Sequence, residues 1–348
     1  MRHALLLLAL VVASCAAQQA GTSAPPTTDP WFGTFSIIGV DPATGELGIG
    51  VQSRAFGAGA AVPFAKPGVG AIATQASANR QYGPKAIALL EQGLSVEEVV
   101  KRITDEDPGR DTRQVGVIDA KGRSAVYTGK RVIDRNSDKS DPVHYGGYAG
   151  HVSGPNYSAQ GNTLASEGVV KAMAAAFEAG KGKPLAERLM DALDAGQAKG
   201  GDTRGMQSAG ILVVRPLDPK SNNTVERVVD IRVDDHENPF KELRRLLYMT
   251  TGVPGRLTES AEKLAAAGKY QEAIAELNKA LEINPRNEQV HYALAQRYAQ
   301  AGDAANALKW LGTAVSRQPA VWKPRAAADP LFEKMRETAA FKKLLGNN

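Results

Sequence analysis

A chain of 348 residues, 43% of them apolar, is longer than one ordinary hydrophobic core organises and implies at least two folded domains. Its 42 basic and 37 acidic residues leave a net charge of only +5 and are interspersed, not gathered into a basic, aromatic-bearing patch, which argues against a nucleic-acid partner. The single cysteine, Cys15, excludes an internal disulfide.

The first element is a leader over residues 1–15. Met1-Arg2-His3 carries positive charge and precedes an apolar run over 4–13, the pattern of a secretory signal peptide and too short to span a bilayer as a mature helix. The run ends in Val12-Ala13-Ser14-Cys15, which resembles the bacterial lipobox, so Cys15 is the expected lipidation site and membrane attachment point. The chain is therefore expected to be exported to the cell envelope or periplasm and lipid-anchored to a membrane. Cleavage near Ala16 would instead discard Cys15. Residues 16–32, rich in Gly, Ser, Thr and Pro, read as a flexible linker.

Over 33–250 the pattern is α+β. Short β runs at 34–40 and 47–53 are joined by Asp41-Pro42-Ala43-Thr44-Gly45 as a hairpin. A strand at 69–76 leads through a loop at 77–83 to a helix over 84–92, with Pro84 in its first turn and Gly93 at its end. Ser95 and Glu98 form a capping box for a second helix. A second hairpin spans 114–128 across Ala120-Lys121-Gly122, and 133–155 reads as polar loop. Helices at 164–179 and 185–198, strands at 208–214 and 228–233, and a helix at 239–247 complete a pattern of helices layered on antiparallel sheet.

Residues 255–348 carry an internal repeat. Gly268, Ala273, Leu277, Ala280 and Pro285 recur 34 residues later as Gly302, Ala307, Leu311, Ala314 and Pro319, which resembles the tetratricopeptide repeat, with 329–345 as a helical cap. An all-α domain that holds a protein or peptide partner is the expectation.

Motif-bearing chemistry is sparse. His144, His151, His236 and His291 lack ligand spacing, so neither a metal nor a cofactor is expected. Asp234-Asp235-His236 reads either as a cation or acid/base site or as a solvated turn. There is no Gly-Xaa-Ser-Xaa-Gly elbow and no phosphate loop; one alternative that needs no histidine is a threonine or serine at a new N-terminus that uses its own α-amine as base, and Gly33-Thr34 opens the first strand.

From these residues the chain resembles the N-terminal nucleophile (Ntn) hydrolases, whose fold is a four-layer αββα sandwich. The resemblance to proteasome β subunits implies cleavage before Thr34, an electrostatic helper at Lys66, and an orienting role for Asp202 in Asp202-Thr203-Arg204-Gly205. It departs at Gly205, where a serine is expected, and at Gly50, where an aspartate is expected and Ser53 is the nearest polar substitute.

A closer similarity is to an uncharacterised bacterial family of the same superfamily, domain of unknown function 1028. It is carried by Thr34-Phe35-Ser36-Ile37, Gly50-Val51-Gln52-Ser53, Gly70-Ala71-Ile72-Ala73-Thr74-Gln75-Ala76, Tyr82-Gly83-Pro84, Gln160-Gly161-Asn162, Gly200-Gly201-Asp202 and Val233-Asp234-Asp235-His236.

The expected site thus has Thr34 as nucleophile, with Lys66, Ser53 and Asp202 in support and Asn79, in the loop after the third strand with Ser77 and Ala78, stabilising an oxyanion. Gln52, Gln75, Gln160, Asn162 and Arg204 are the expected substrate-binding groups, the amides placed at strand ends or in loops. Two functions follow as alternatives: an envelope amidohydrolase of the Ntn type, or a non-enzymatic lipoprotein that uses the αββα domain for binding and the repeats as a scaffold.

Overall fold

The computed structural model describes residues 33–137, 147–218, 220 and 225–346. The leader, Cys15, the linker up to residue 32 and His144 lie outside the described residues.

The chain opens with the hairpin of β1 (Thr34–Asp41) and β2 (Glu46–Ser53), and Gly45 takes the left-handed turn position at φ 71°. A single helical turn, α1 (Ala58–Ala61), leads into β3 (Pro63–Lys66) and β4 (Gly70–Ala76). Then come α2 (Tyr82–Glu91) and α3 (Val96–Asp105), the latter held by the expected Ser95–Glu98 capping box. β5 (Arg113–Asp119) and β6 (Ser124–Thr128) form the second hairpin.

The stretch read as polar loop holds two elements instead, α4 (Lys130–Ser137) and β7 (Tyr148–Gly154), and β7 pairs with β8 (Tyr157–Leu164). The glycines of β7 and the polar residues of β8 hide the strand pattern. β7 is an edge strand, and the polar residues of β8 face a polar interior. Leu164 consequently ends a strand, and the helix expected from 164 begins at Gly168 as α5 (Gly168–Ala179). α6 (Leu185–Ala198), β9 (Ser208–Val214), β10 (Arg227–Val233) and α7 (Pro239–Thr250) follow.

The strands form two antiparallel sheets, one in the order β10-β9-β2-β1-β8-β7 and the other β3-β4-β5-β6. Alternation along β1 assigns its two faces. Phe35 and Ile37 turn toward a core shared with Val170, Phe177, Leu189 and Leu193 of α5 and α6, whereas Ile38 and Val40 meet Ala71, Ala73 and Ile118 of the other sheet. Val96, Val99 and Ile103 of α3 cover that sheet's outer face through Ile72, Val115 and Val117. The layers are helices, sheet, sheet, helices, as the resemblance implies. Each fully buried Ile, Leu or Phe contributes about 1.5–3 kcal/mol, so three such clusters make the layering the main source of stability.

Position 48 must be glycine for the helices to approach: a Cβ there would come within 2.6 Å of Leu189 Cδ1. Gly50 faces the same helices, with Leu193 Cδ1 3.2 Å from its Cβ position. An aspartate at position 50 would therefore point into this apolar core and away from Thr34.

The C-terminal part is all helical. α8 (Val253–Ala266) and α9 (Tyr270–Ile283) form one helical hairpin, and α10 (Glu288–Gln300) and α11 (Ala304–Arg317) the next. Gly268 and Gly302 reverse the chain at φ 74° and 81°, and Ala273, Ala280, Ala307 and Ala314 are all fully buried where the helices approach. Tyr298 and Trp310 pack against the cores of both hairpins. α12 (Pro319–Ala328), a 3-10 turn (Pro330–Met335) and α13 (Ala339–Leu345) cap the array, with Tyr292 stacked on Trp322 at 4.7 Å and edge-on to Phe332 at 5.7 Å. Arg245 of α7 donates to the Ile283 carbonyl at 2.8 Å, tying the repeats to the α+β domain.

Candidate active site

β1 and β2 lie in register with Thr34 opposite Ser53, which puts both hydroxyls on the inter-sheet face at the end of the sheet. Thr34 is 2% exposed and its Oγ1 lies 3.0 Å from Ser53 Oγ. Ser53 Oγ donates its one hydrogen to the Gly33 carbonyl at 2.6 Å, so the Thr34 hydroxyl is the donor in the first contact. The hydroxyls thus form a directed chain from Thr34 through Ser53 to the carbonyl of the peptide bond that precedes Thr34.

A second donor reaches the same carbonyl oxygen: Arg204 Nη2, at 3.0 Å. Arg204 is held by a two-pronged pair with Asp202, Nε to Oδ1 at 3.1 Å and Nη2 to Oδ2 at 2.8 Å, and Asp202 is buried. The loop that delivers both follows α6. Gly201 (φ 54°) and Gly205 (φ 101°) make its turns, and a serine at 205 would be strained there. Asp202 also bridges to Leu164, and Thr203 N–H donates to the Thr163 carbonyl at 2.9 Å. Thr163 itself sits at φ 56°, a left-handed conformation costly for a β-branched residue, and Asn136 accepts its N–H at 2.5 Å. A side chain at Gly33 would displace the Arg204–Asp202 pair, because a Cβ would lie 2.5 Å from Asp202 Oδ2 and 2.6 Å from Arg204 Nη2.

The expected amides divide. Gln75, Gln160 and Asn162 join Ser36 and Gln114 in a buried network between the sheets. Gln160 Nε2 donates to Ser36 Oγ (2.7 Å), Ser36 Oγ to Gln75 Oε1 (2.7 Å), and Gln75 Nε2 to Gln114 Oε1 (2.7 Å). Asn162 Nδ2 donates to the same Gln114 oxygen at 3.0 Å, and Gln114 Nε2 to the Gly161 carbonyl at 2.9 Å. Gln75 and Asn162 also approach the Thr34 carbonyl, at 3.4 and 3.5 Å. Their donors are committed to the protein, and Gln160 and Asn162 are mid-strand and sealed, not in loops as expected. These residues position Thr34; of the network only Gln75 also lines the adjoining cavity. Gln52 points to the opposite face of β2, donating to the Gly205 carbonyl at 3.2 Å, and so does not face Thr34.

Lys66 is not part of the cluster. It pairs with Gly70, five residues along β4 from Gln75 and hence about 16 Å away at ordinary strand rise, and it meets Glu91 at the surface. The cation beside Thr34 is Arg204. Asn79 is also engaged elsewhere, donating to Asp107 at 3.0 Å and accepting from Gln81 N–H at 3.1 Å. Burial alone would raise the Asp107 carboxyl, but hydrogen bonds from Arg113, Asn79, Tyr82 and the Gly109 N–H outweigh it and hold the group well below the usual carboxylate range. Asp234-Asp235-His236 forms the exposed turn into α7, in which His236 Nδ1 accepts from Asn238 N–H, and no cluster of metal-ligating side chains exists among the described residues.

Ser208 and Gln114 are contributors that the sequence reading passed over. Ser208 lies opposite Ser53 on β9, accepts from Ala58 N–H at 3.0 Å and donates to the Ala55 carbonyl at 2.5 Å, fixing the segment between β2 and α1. That segment walls a cavity of about 240 Å³ that opens beside Thr34 and Ser53, lined chiefly by Ala55, Ala58, Ala61, Val62, Ala76 and Ala78, with Phe56 and Arg80 also contributing. Ala76 adopts φ 62°, a second non-glycine outlier beside the site.

Comparison with known proteins places this geometry in a family. Residues 34–243 match the model of a family of unknown function, DUF1028, and residues 261–302 match a tetratricopeptide-repeat model. No curated protein matches the chain. Among solved structures, that of protein SPO2555 from Silicibacter pomeroyi, described as a member of the same family, is 30% identical with a TM-score of 0.53, and the alignment covers 63% of this chain and 86% of that one. Tetratricopeptide repeats generally mediate protein–protein contacts. The match begins at Thr34 itself and runs through both sheets to α7, and the chain belongs to the DUF1028 family, extended by a repeat module for protein interaction.

Proposed function

We propose that the chain is an N-terminal-nucleophile amidohydrolase that matures by cutting itself between Gly33 and Thr34. The observation that carries this reading is the Gly33 carbonyl held between Ser53 Oγ (2.6 Å) and Arg204 Nη2 (3.0 Å), directly before a buried threonine whose hydroxyl feeds the same serine.

In the cut, Thr34 Oγ1 bonds to the Gly33 carbonyl carbon. Its proton passes to Ser53 as the Ser53 proton moves toward the carbonyl oxygen, whose developing charge Arg204 stabilises. The C–N bond then breaks, the Thr34 nitrogen takes a proton, and an ester joins Gly33 to Thr34 Oγ1. Water hydrolyses that ester, leaving a carboxylate on Gly33 and a free α-amine on Thr34. An amide substrate then places its carbonyl where that of Gly33 lay. The amine takes the Thr34 hydroxyl proton, Thr34 is acylated as the amine product leaves, and water releases the acid.

The lipobox reading of the leader gives this cut a further consequence, since it would free the domain from an anchor at Cys15. The repeats supply a surface for a protein partner.

Thr34→Ala abolishes the cut and any amide hydrolysis. Ser53→Ala slows the cut about 10²–10³-fold, as loss of one oxyanion donor does, when followed by intact mass over time. Cleavage of Thr34→Ala at the normal rate would overturn the assignment.

A further inference from the structure

The cavity beside Thr34 has a specific chemistry. Alongside Thr34, Ser53, Phe56 and Arg80 it is lined by five alanines and Val62, and its one amide, Gln75, spends both Nε2 hydrogens on Gln114 and the Thr34 carbonyl and its Oε1 on Ser36. A polar group set against the alanines and Val62 would lose water without gaining a partner, so the cavity selects for apolar atoms there. Its size, about 240 Å³, exceeds the roughly 150 Å³ apolar cavity known to hold a benzene ring, and so admits a leucine- or phenylalanine-sized group. Phe56, 72% exposed on the same cavity's wall, is a large apolar side chain left in water that such a group would cover.

Arg80 supplies the second half. Arg113 and Arg204 are tied to Asp107 and Asp202, whereas the Arg80 guanidinium reaches only the Ala60 carbonyl, at 3.4 Å, and has no carboxylate partner among the described residues. An exposed guanidinium without a carboxylate partner, on the wall of a largely apolar cavity, favours an anion next to the apolar group.

Building on the proposed nucleophile, we infer that the substrate is a peptide-like amide with an apolar side chain at the scissile carbonyl and a carboxylate within about one residue of it, the side chain in the cavity and the carboxylate on Arg80. Two readouts test this, both with the repeats retained. The first is hydrolysis, by the form that begins at Thr34, of succinyl-leucine p-nitroanilide against its neutral acetyl counterpart. The second is binding of succinyl-leucine amide and acetyl-leucine amide to the uncut Thr34→Ala chain, followed by NMR titration, which needs no catalysis.

The expected result is about a tenfold preference for the succinyl compound in both, the low end for a hydrogen bond to a charged group, lost in Arg80→Gln. Ala61→Phe, which fills the cavity, removes binding of both compounds. A preference in binding with no anilide hydrolysis would sink the nucleophile and leave the pocket assignment standing. Hydrolysis or binding that ignores the carboxylate, or that Arg80→Gln leaves unchanged, overturns the pocket assignment, as does a failure of both amides to bind at millimolar concentration.

Discussion

Gly33→Ala is the sharpest perturbation of the processing geometry. Alanine differs from glycine by one methyl, is small and uncharged, and leaves the bond to be cut chemically equivalent. In this fold that methyl would lie 2.5 Å from Asp202 Oδ2, 2.6 Å from Arg204 Nη2 and 2.8 Å from Asp202 Cγ, so the ion pair or the Gly33 backbone has to move. Asp202 is fully buried and its loop is pinned to Thr163, so relief comes mainly by withdrawing the Arg204 Nη2 contact from the Gly33 oxygen. Loss of one preorganised donor to a developing oxyanion costs about 3–4 kcal/mol, a factor of 10²–10³ in rate. The assay is the time course of the uncut and cut masses after synthesis, with Thr34→Ala as the uncut standard and circular dichroism to confirm that the sandwich has formed. Processing of a folded Gly33→Ala chain at the wild-type rate would refute the claim that the Arg204–Asp202 clamp drives the cut.

Other consequences are independent of that one. Lys66→Ala should leave processing unchanged and stability within about 0.5 kcal/mol, because its partner Glu91 and its own ammonium are both solvent-accessible; slowed processing would restore it to the site. Phe332→Ala, at a fully buried ring that packs on Tyr292 and Phe341, should cost about 3–5 kcal/mol in denaturant unfolding of the repeats while leaving the cut intact. Burial, helped by the positive charge of Arg317, pushes the His291 imidazole below its ordinary value, and its Nδ1 has no partner where the ring stacks on Trp310. The unfolded chain then takes up a proton near pH 6.5 that the folded chain refuses, so stability should fall as pH drops through about 6.5 and level off below the folded value. His291→Phe should remove that slope, and an unchanged slope would assign it elsewhere.

The layered fold was legible wherever one face of an element was apolar. The β1–β2 hairpin, the Ser95–Glu98 cap, α6 and the repeat helices around Ala273, Leu277, Ala307 and Leu311 all declare themselves by spacing. β8 did not, because Ser158, Gln160 and Asn162 are polar yet interior: Ser158 meets Ser153 of β7, Gln160 donates to Ser36 of β1, and Asn162 donates to Gln114 of the opposite sheet, the last two partners lying far away in sequence. β7 and α4 were hidden by the same reasoning, which reads glycine and polarity as loop.

At the site, adjacency in sequence identified Gly33-Thr34 and Asp202-Thr203-Arg204, and strand register explains why Ser53 meets Thr34. Lys66 shows the limit of resemblance: likeness to proteasome β subunits placed it at the nucleophile, whereas the pairing of β3 with β4 carries it to the other end of the sheet. Gln52 was misassigned for a related reason, since a one-residue offset from Ser53 turns a side chain to the other face.

The most direct test of the central claim is the intact mass and N-terminal residue of the purified wild-type protein. The proposed mechanism predicts a chain that begins at Thr34 with a free α-amine, formed without any added protease and absent in Thr34→Ala. A wild-type chain that stays uncut before Thr34 while correctly folded would contradict it.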